Sequence, residues 1–262
     1  MKRKIAAILL FVAAGLCAAT AIFYVGKYYK GKQEYDEIKK EVISMPENDN
    51  DNEKDKGSEE DRIIVDWKGM LAQNPDYVGW IEMMNGASYP VVQAKDNDYY
   101  LHRGFHKEYN INGCIFMSCY SDREWKGKNT IVYGHNMLNG TMFGSNKKYN
   151  NEEYARENPY FYIHVEGGYY VYRIYTYLLV EDATYPYIAD VLTDDDMAEY
   201  IQKTKPMSVY WIEEAAPSPK DRIVTLSACI GQAGGTHRQL IQGKYEKFVR
   251  YPADNKEGGG GN

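Results

Sequence analysis

Ile223-Val224-Thr225-Leu226-Ser227-Ala228-Cys229 is an apolar, β-branched run that ends on a thiol. Such a run reads as a buried strand, and the cysteine closes it. Nine residues further on stands Arg238. Well upstream a second run of the same kind, Asn129-Thr130-Ile131-Val132-Tyr133-Gly134, leads into His135. A thiol, an imidazole and a guanidinium, each at or just past a strand end, are the parts of a cysteine acyl-transfer site. A cation near the sulfur lowers a thiol pKa that is ordinarily about 8.5. A buried cysteine at a strand end is more often plain packing, so the three residues matter as a set.

Working outward, the same grammar recurs. Strand-like runs cover Val78–Met83, Tyr89–Gln93, Cys114–Ser118, Thr130–Tyr133, Phe161–Val165, Tyr169–Leu179, Ile223–Ser227 and Gln239–Tyr245. Glycine, proline and Asn/Asp clusters separate them, and Glu166-Gly167-Gly168 is a hairpin signal. A short helix is expected around Val65–Leu71, stopping near Asn74-Pro75. Two further helical stretches are expected, Met142–Tyr154 around a loop and Thr193 to about Lys203. Thr193 can cap the latter, with Asp194, Asp195 and Asp196 in its positively polarised first turn. Eight short strands with few helices predict a mainly β fold, a closed or nearly closed barrel. The 26 tyrosines suit strands with one packed and one wet face.

At the N-terminus, Met1-Lys2-Arg3-Lys4 precedes an uncharged apolar run from Ile5 to Val25. It is long enough to cross a bilayer as a helix, and its basic flank favours a cytoplasmic N-terminus with the remainder outside. A cleaved signal peptide is the competing reading. It fits less well, because Ala13, Ala14, Ala18 and Ala19 lie inside the apolar core rather than beyond it. Leu16 before Cys17 argues against a lipoprotein. Residues 26 to about 45 are Lys- and Glu-rich and can continue the helix. The run after Pro46, to Asp61, cannot bury anything and is expected as a flexible spacer. The expected layout is therefore 1–4 cytoplasmic, 5–25 transmembrane anchor, 26–61 extracellular spacer, 62–251 catalytic domain and 252–262 disordered tail.

Net charge is −6, which gives no reason to propose nucleic acid as a partner. The four cysteines, Cys17, Cys114, Cys119 and Cys229, have no metal-ligand spacing. Cys114 and Cys119 are expected as small packed residues, not an intrastrand disulfide. Neither a metal nor a cofactor is expected.

The domain resembles a sortase, and most closely class B. The resemblance is carried by Asn74-Pro75-Asp76-Tyr77-Val78-Gly79-Trp80-Ile81, Tyr89-Pro90-Val91-Val92-Gln93 and Asp96-Asn97-Asp98-Tyr99-Tyr100-Leu101-His102. It continues through Tyr133-Gly134-His135-Asn136-Met137, Gly140-Thr141-Met142-Phe143-Gly144, Thr225-Leu226-Ser227-Ala228-Cys229 and Arg238-Gln239-Leu240-Ile241-Gln242-Gly243-Lys244-Tyr245. Each piece alone is weak; their order and spacing together are specific. The resemblance implies an eight-stranded β-barrel with an N-terminal helical extension and a helix before the Cys strand. It implies a membrane-anchored transpeptidase on a Gram-positive cell surface, with Cys229 as nucleophile, His135 as proton donor and Arg238 as oxyanion or carbonyl donor. Its partners would be a sorting-signal peptide and a peptidoglycan or other amine. Pilin polymerisation, and a surface cysteine peptidase that uses water, are the alternatives. A binding module that has kept only the fold has no need of all three residues.

Two departures stand out. Ala228 occupies a position where the family usually has threonine, and residues 230–237 are glycine-rich without the acidic residues often found there. Ser227, Tyr133 and Asn136 are candidate substrate-side residues: Ser227 lies two before Cys229, and the other two flank His135. His237 is expected to point away from the site if Arg238 points in. His102, His106 and His164 read as surface or packing residues.

Overall fold

A computed structural model describes residues 2–44, 62–181, 191–229 and 236–252. The eight expected strands are all present and close into a barrel. β3 (Tyr77–Met83), β4 (Ser88–Val92), β5 (Ile115–Met117), β6 (Asn129–Gly134), β7 (Tyr160–Val165), β8 (Gly168–Glu181), β10 (Ile223–Cys229) and β11 (His237–Arg250) run in the order β11-β10-β6-β5-β4-β3-β7-β8. Pairing of β11 with β8 closes the ring. Closure leaves these strands without an open edge, and Trp80, Ile81, Val91, Phe161 and Tyr175 are buried in the core packed on the two faces of the sheet.

Two additions flank the barrel. β9 (Ser208–Trp211) pairs with Thr176–Leu178, on the edge of β8 that β7 has already left. β1 (Ile43–Ser44) and β2 (Ile64–Val65) form a separate antiparallel pair.

The helices form where local chemistry predicts. α2 (Trp67–Gln73) begins at Asp66, whose carboxylate accepts from the Gly69 amide at 3.0 Å. It ends before Pro75. α3 (Glu152–Glu157) is capped by Asn151. α4 (Asp194–Thr204) carries a full capping box: Thr193 Oγ1 accepts from Asp196 N, and the Asp196 carboxylate accepts from Thr193 N at 2.9 Å. Gly167, at φ +78°, makes the β7–β8 turn, a backbone conformation that a side chain resists.

The N-terminal region differs from the expected layout. α1 (Lys2–Val42) is one unbroken helix of 41 residues. Its apolar first half is exposed; among the described residues it is the one helix long and apolar enough to cross a membrane. Its second half is not spacer. Tyr35, Ile38 and Val42 recur on one helical face and are 1–4% exposed against the barrel core. The Val42 carbonyl then accepts from Asp66 N at 2.9 Å. The charged run from 45 to 61 lies outside the described residues, between two strands that pair with each other.

Candidate active site

The barrel brings the three chemical residues to one end through two neighbouring pairings. β10 lies parallel to β6, with Ser227 opposite Tyr133 and Ala228 opposite Gly134. One residue further, Cys229 and His135 leave the same rung. On its other side β10 runs antiparallel to β11, and Cys229 pairs directly with Arg238. Adjacent strands lie about 4.8 Å apart, so three neighbouring strand ends bring the backbone positions of His135, Cys229 and Arg238 side by side.

The His135 side is tightly built. Gly134 has no room for a side chain: a Cβ would come 2.4 Å from Ile115 Cδ1 and 2.6 Å from Phe143 Cδ2. The Phe143 amide donates to the His135 carbonyl at 2.9 Å, and an Asn136–Met142 bridge closes the loop behind it. His135 Nε2 donates to the Leu101 carbonyl at 2.6 Å; a carbonyl oxygen only accepts, so Nε2 carries the hydrogen. That leaves Nδ1 as the nitrogen able to exchange a proton. The His102 ring stacks on His135 with centroids 5.9 Å apart. Burial pushes the His135 pKa below the ordinary imidazole value, His102 adds to the depression, and the Leu101 carbonyl opposes it.

The other side is set by β11. Arg238 is half-buried, with Nη1 donating to the His237 carbonyl at 3.1 Å. His237 is exposed, its Nε2 3.8 Å from Glu181 Oε1 on β8, which places it outward as expected. Next to Arg238, Gln239 is buried and receives the Tyr177 hydroxyl at 2.9 Å.

The remaining candidates fall as follows. Ser227 is 2% exposed, and its hydroxyl has no hydrogen-bond partner among the described residues. Tyr133 packs on Phe116, ring centroids 5.2 Å apart, beside the site. Asn136 is half-buried on the turn after His135. Ala228 is buried in the core. The glycine-rich segment loses 230–235 to the undescribed residues. His164 is fully buried at the far side of the sheet, bonded to Glu82 and Tyr251, and has no part here. Cys114 is buried and Cys119 half-buried, both with free thiols. Sequence reading missed the Leu101 carbonyl and the His102 ring, because a residue's backbone oxygen carries no compositional signature.

A sortase-domain family model matches residues 81–246. The chain belongs to the sortase family. Sortase B of Listeria monocytogenes is 38% identical over 175 residues, covering 65% of this chain and 70% of the relative. The structure of Bacillus anthracis sortase B in complex with AAEK1 superposes with a TM-score of 0.68 at 30% identity, covering 85% of this chain and 99% of that one. A Staphylococcus aureus sortase B–substrate complex matches with a TM-score of 0.63 at 27% identity, covering 71% and 85%. The chain is therefore a class B sortase, a cysteine transpeptidase on a closed β-barrel.

Proposed function

We propose that this sortase cleaves a C-terminal sorting signal through a thioester on Cys229 and passes the acyl group to a cell-wall amine. The observation that carries the site assignment is the register: Cys229 faces Arg238 across β10–β11, and β6 ends beside it on His135. In the first step the Cys229 sulfur bonds to the scissile carbonyl carbon. The carbon–nitrogen bond breaks, and His135 Nδ1–H gives its proton to the departing amine. Arg238 holds the carbonyl oxygen as negative charge develops on it. In the second step an incoming amine attacks the thioester, sulfur leaves as thiolate, and His135 recovers a proton. Ser227, with a spare buried hydroxyl two residues from the nucleophile, and Tyr133 and Asn136 beside the histidine, are assigned to substrate contact.

The placement proposed is single-pass, with residues 5–25 in the bilayer and the barrel outside. The basic Met1–Lys4 end and the exposed apolar half of α1 support it. The substrate complex known for the Staphylococcus aureus relative supports a peptide donor. A peptidoglycan amine is the preferred acceptor; a pilin lysine and water are the alternatives.

The test is full-length protein in detergent with sorting-signal peptides and candidate amines, read by mass. Wild type should give amine-linked product and Cys229→Ala none. Cleavage by Cys229→Ala at the wild-type rate would overturn the nucleophile. Free acid alone at high amine concentration would make the enzyme a peptidase.

A further inference from the structure

The second half of α1 reaches the histidine side of the site through one short turn. The Tyr28 carbonyl accepts from Asn112 Nδ2 at 3.3 Å, and the Gly31 carbonyl from Asn110 Nδ2 at 3.2 Å. Glu34 accepts from the same Asn110 amide at 2.7 Å and from His106 N at 3.1 Å. Tyr35, buried, donates its hydroxyl to the Gly113 carbonyl.

Gly113 is the pivot. It holds φ +59°, and a Cβ there would come 2.6 Å from the Leu101 carbonyl oxygen and 3.0 Å from His135 Cδ2. Leu101 O is the acceptor of His135 Nε2. Gly113 is thus wedged between α1 on one side and, on the other, both the His135 ring and the oxygen that orients it. Gly31 gives the helix its close approach, since a Cβ there would stand 2.2 Å from Asn110 Oδ1.

We propose that the juxtamembrane half of α1 is a wall of the active site, and that Tyr35 is a positioning residue which fixes His135 through the Gly113 carbonyl. The same helix that reads as the membrane anchor then also sets the geometry of the proton donor. This rests on the assignment of His135 above. A hydroxyl buried only to fill the core would stabilise the fold and leave the imidazole indifferent; a hydroxyl aimed at the carbonyl of the residue touching that imidazole should not.

The experiment uses the full chain in nanodiscs, with Tyr35→Phe, Gly31→Ala and, on the exposed side of α1, Lys40→Ala. Peptide kinetics and the ring carbon signals of labelled histidine are measured well below the melting temperature. For Tyr35→Phe we expect kcat to fall roughly tenfold with KM unchanged, and the His135 signals to shift, because small misplacements of a catalytic group are costly. Lys40→Ala should match wild type in both. Wild-type kcat in Tyr35→Phe, or a loss that only follows the folded fraction with His135 signals unmoved, overturns the proposal. If Tyr35→Phe does not fold, Gly31→Ala is read by the same criteria. Wild-type activity in His135→Gln would remove the proton-donor assignment instead, and the signal shift in Tyr35→Phe would still decide the coupling.

Discussion

The two sides of the candidate site are held in different ways. His135 is gripped from behind: a glycine too crowded for a methyl group, a carbonyl on its Nε2, a histidine ring stacked on its face and a helix behind the turn it touches. Cys229 and Arg238 are placed by backbone ladders, Cys229 opposite Arg238 and Arg238 opposite Val180 of β8 on its other side, next to a glycine-rich stretch. One side is specified by packing, the other by strand register. Damage to the first should therefore appear in stability as well as in rate, and damage to the second in rate alone.

The largest expected effect is on the Cys229–Arg238 side. Arg238→Ala should lower kcat by roughly 10²–10³, the size of effect seen when one oxyanion donor is removed. Arg238→Lys should recover little, because an ammonium lacks the planar fork that fits a carbonyl oxygen. Neither should move the melting temperature much, since the side chain is only half-buried. A large loss of stability in Arg238→Ala would erase the contrast between the two sides.

Gly134→Ala tests the packed side. The new methyl must displace Ile115 or Phe143, an overpacking cost of about 1–3 kcal/mol. In a domain of this size that lowers the melting temperature by roughly 2–4 °C for each kcal/mol. Activity should fall with it, because the displaced Phe143 amide holds the His135 carbonyl. Calorimetry and peptide turnover on the same sample check both halves.

How much of this was legible in the sequence depends on the range of the interaction. The barrel strands were readable from β-branched runs, the α4 start from Thr193 and Asp196, and the hairpin from Gly167-Gly168, since each is written within a few neighbouring residues. β9 was missed: Ser208-Val209-Tyr210-Trp211 is too short to show alternation and follows Pro206 closely. The site residues could be named, but their adjacency depends on a parallel pairing between β6 and β10. Those strands are separated by α3, β7, β8, α4 and β9, and no local pattern encodes that pairing. The packed face of α1 did leave a signal, Tyr35, Ile38 and Val42 at helical spacing, which the abundance of lysine and glutamate around them masked.

The smallest expected effect is electrostatic and refines the packed side. The pKa of His135 is depressed first by burial and then by His102, with the Leu101 carbonyl working against both. A depressed imidazole is protonated only at lower pH, so as proton donor it is lost as pH rises through that lowered value. In the stability balance the sign is fixed by the same shift. The unfolded chain takes up the proton first, so the contribution is intact above the ordinary histidine value near 6.5 and is lost as pH falls through the folded one. His102→Gln removes one of the two depressing causes and leaves the burial. The His135 midpoint, followed by its ring signals, should therefore move up while remaining below the ordinary value, and the fold should be unaffected because His102 is exposed. A midpoint that stays in place would mean that packing alone tunes the imidazole. The contrast between the two sides would then be one of shape, with no share for the neighbouring ring.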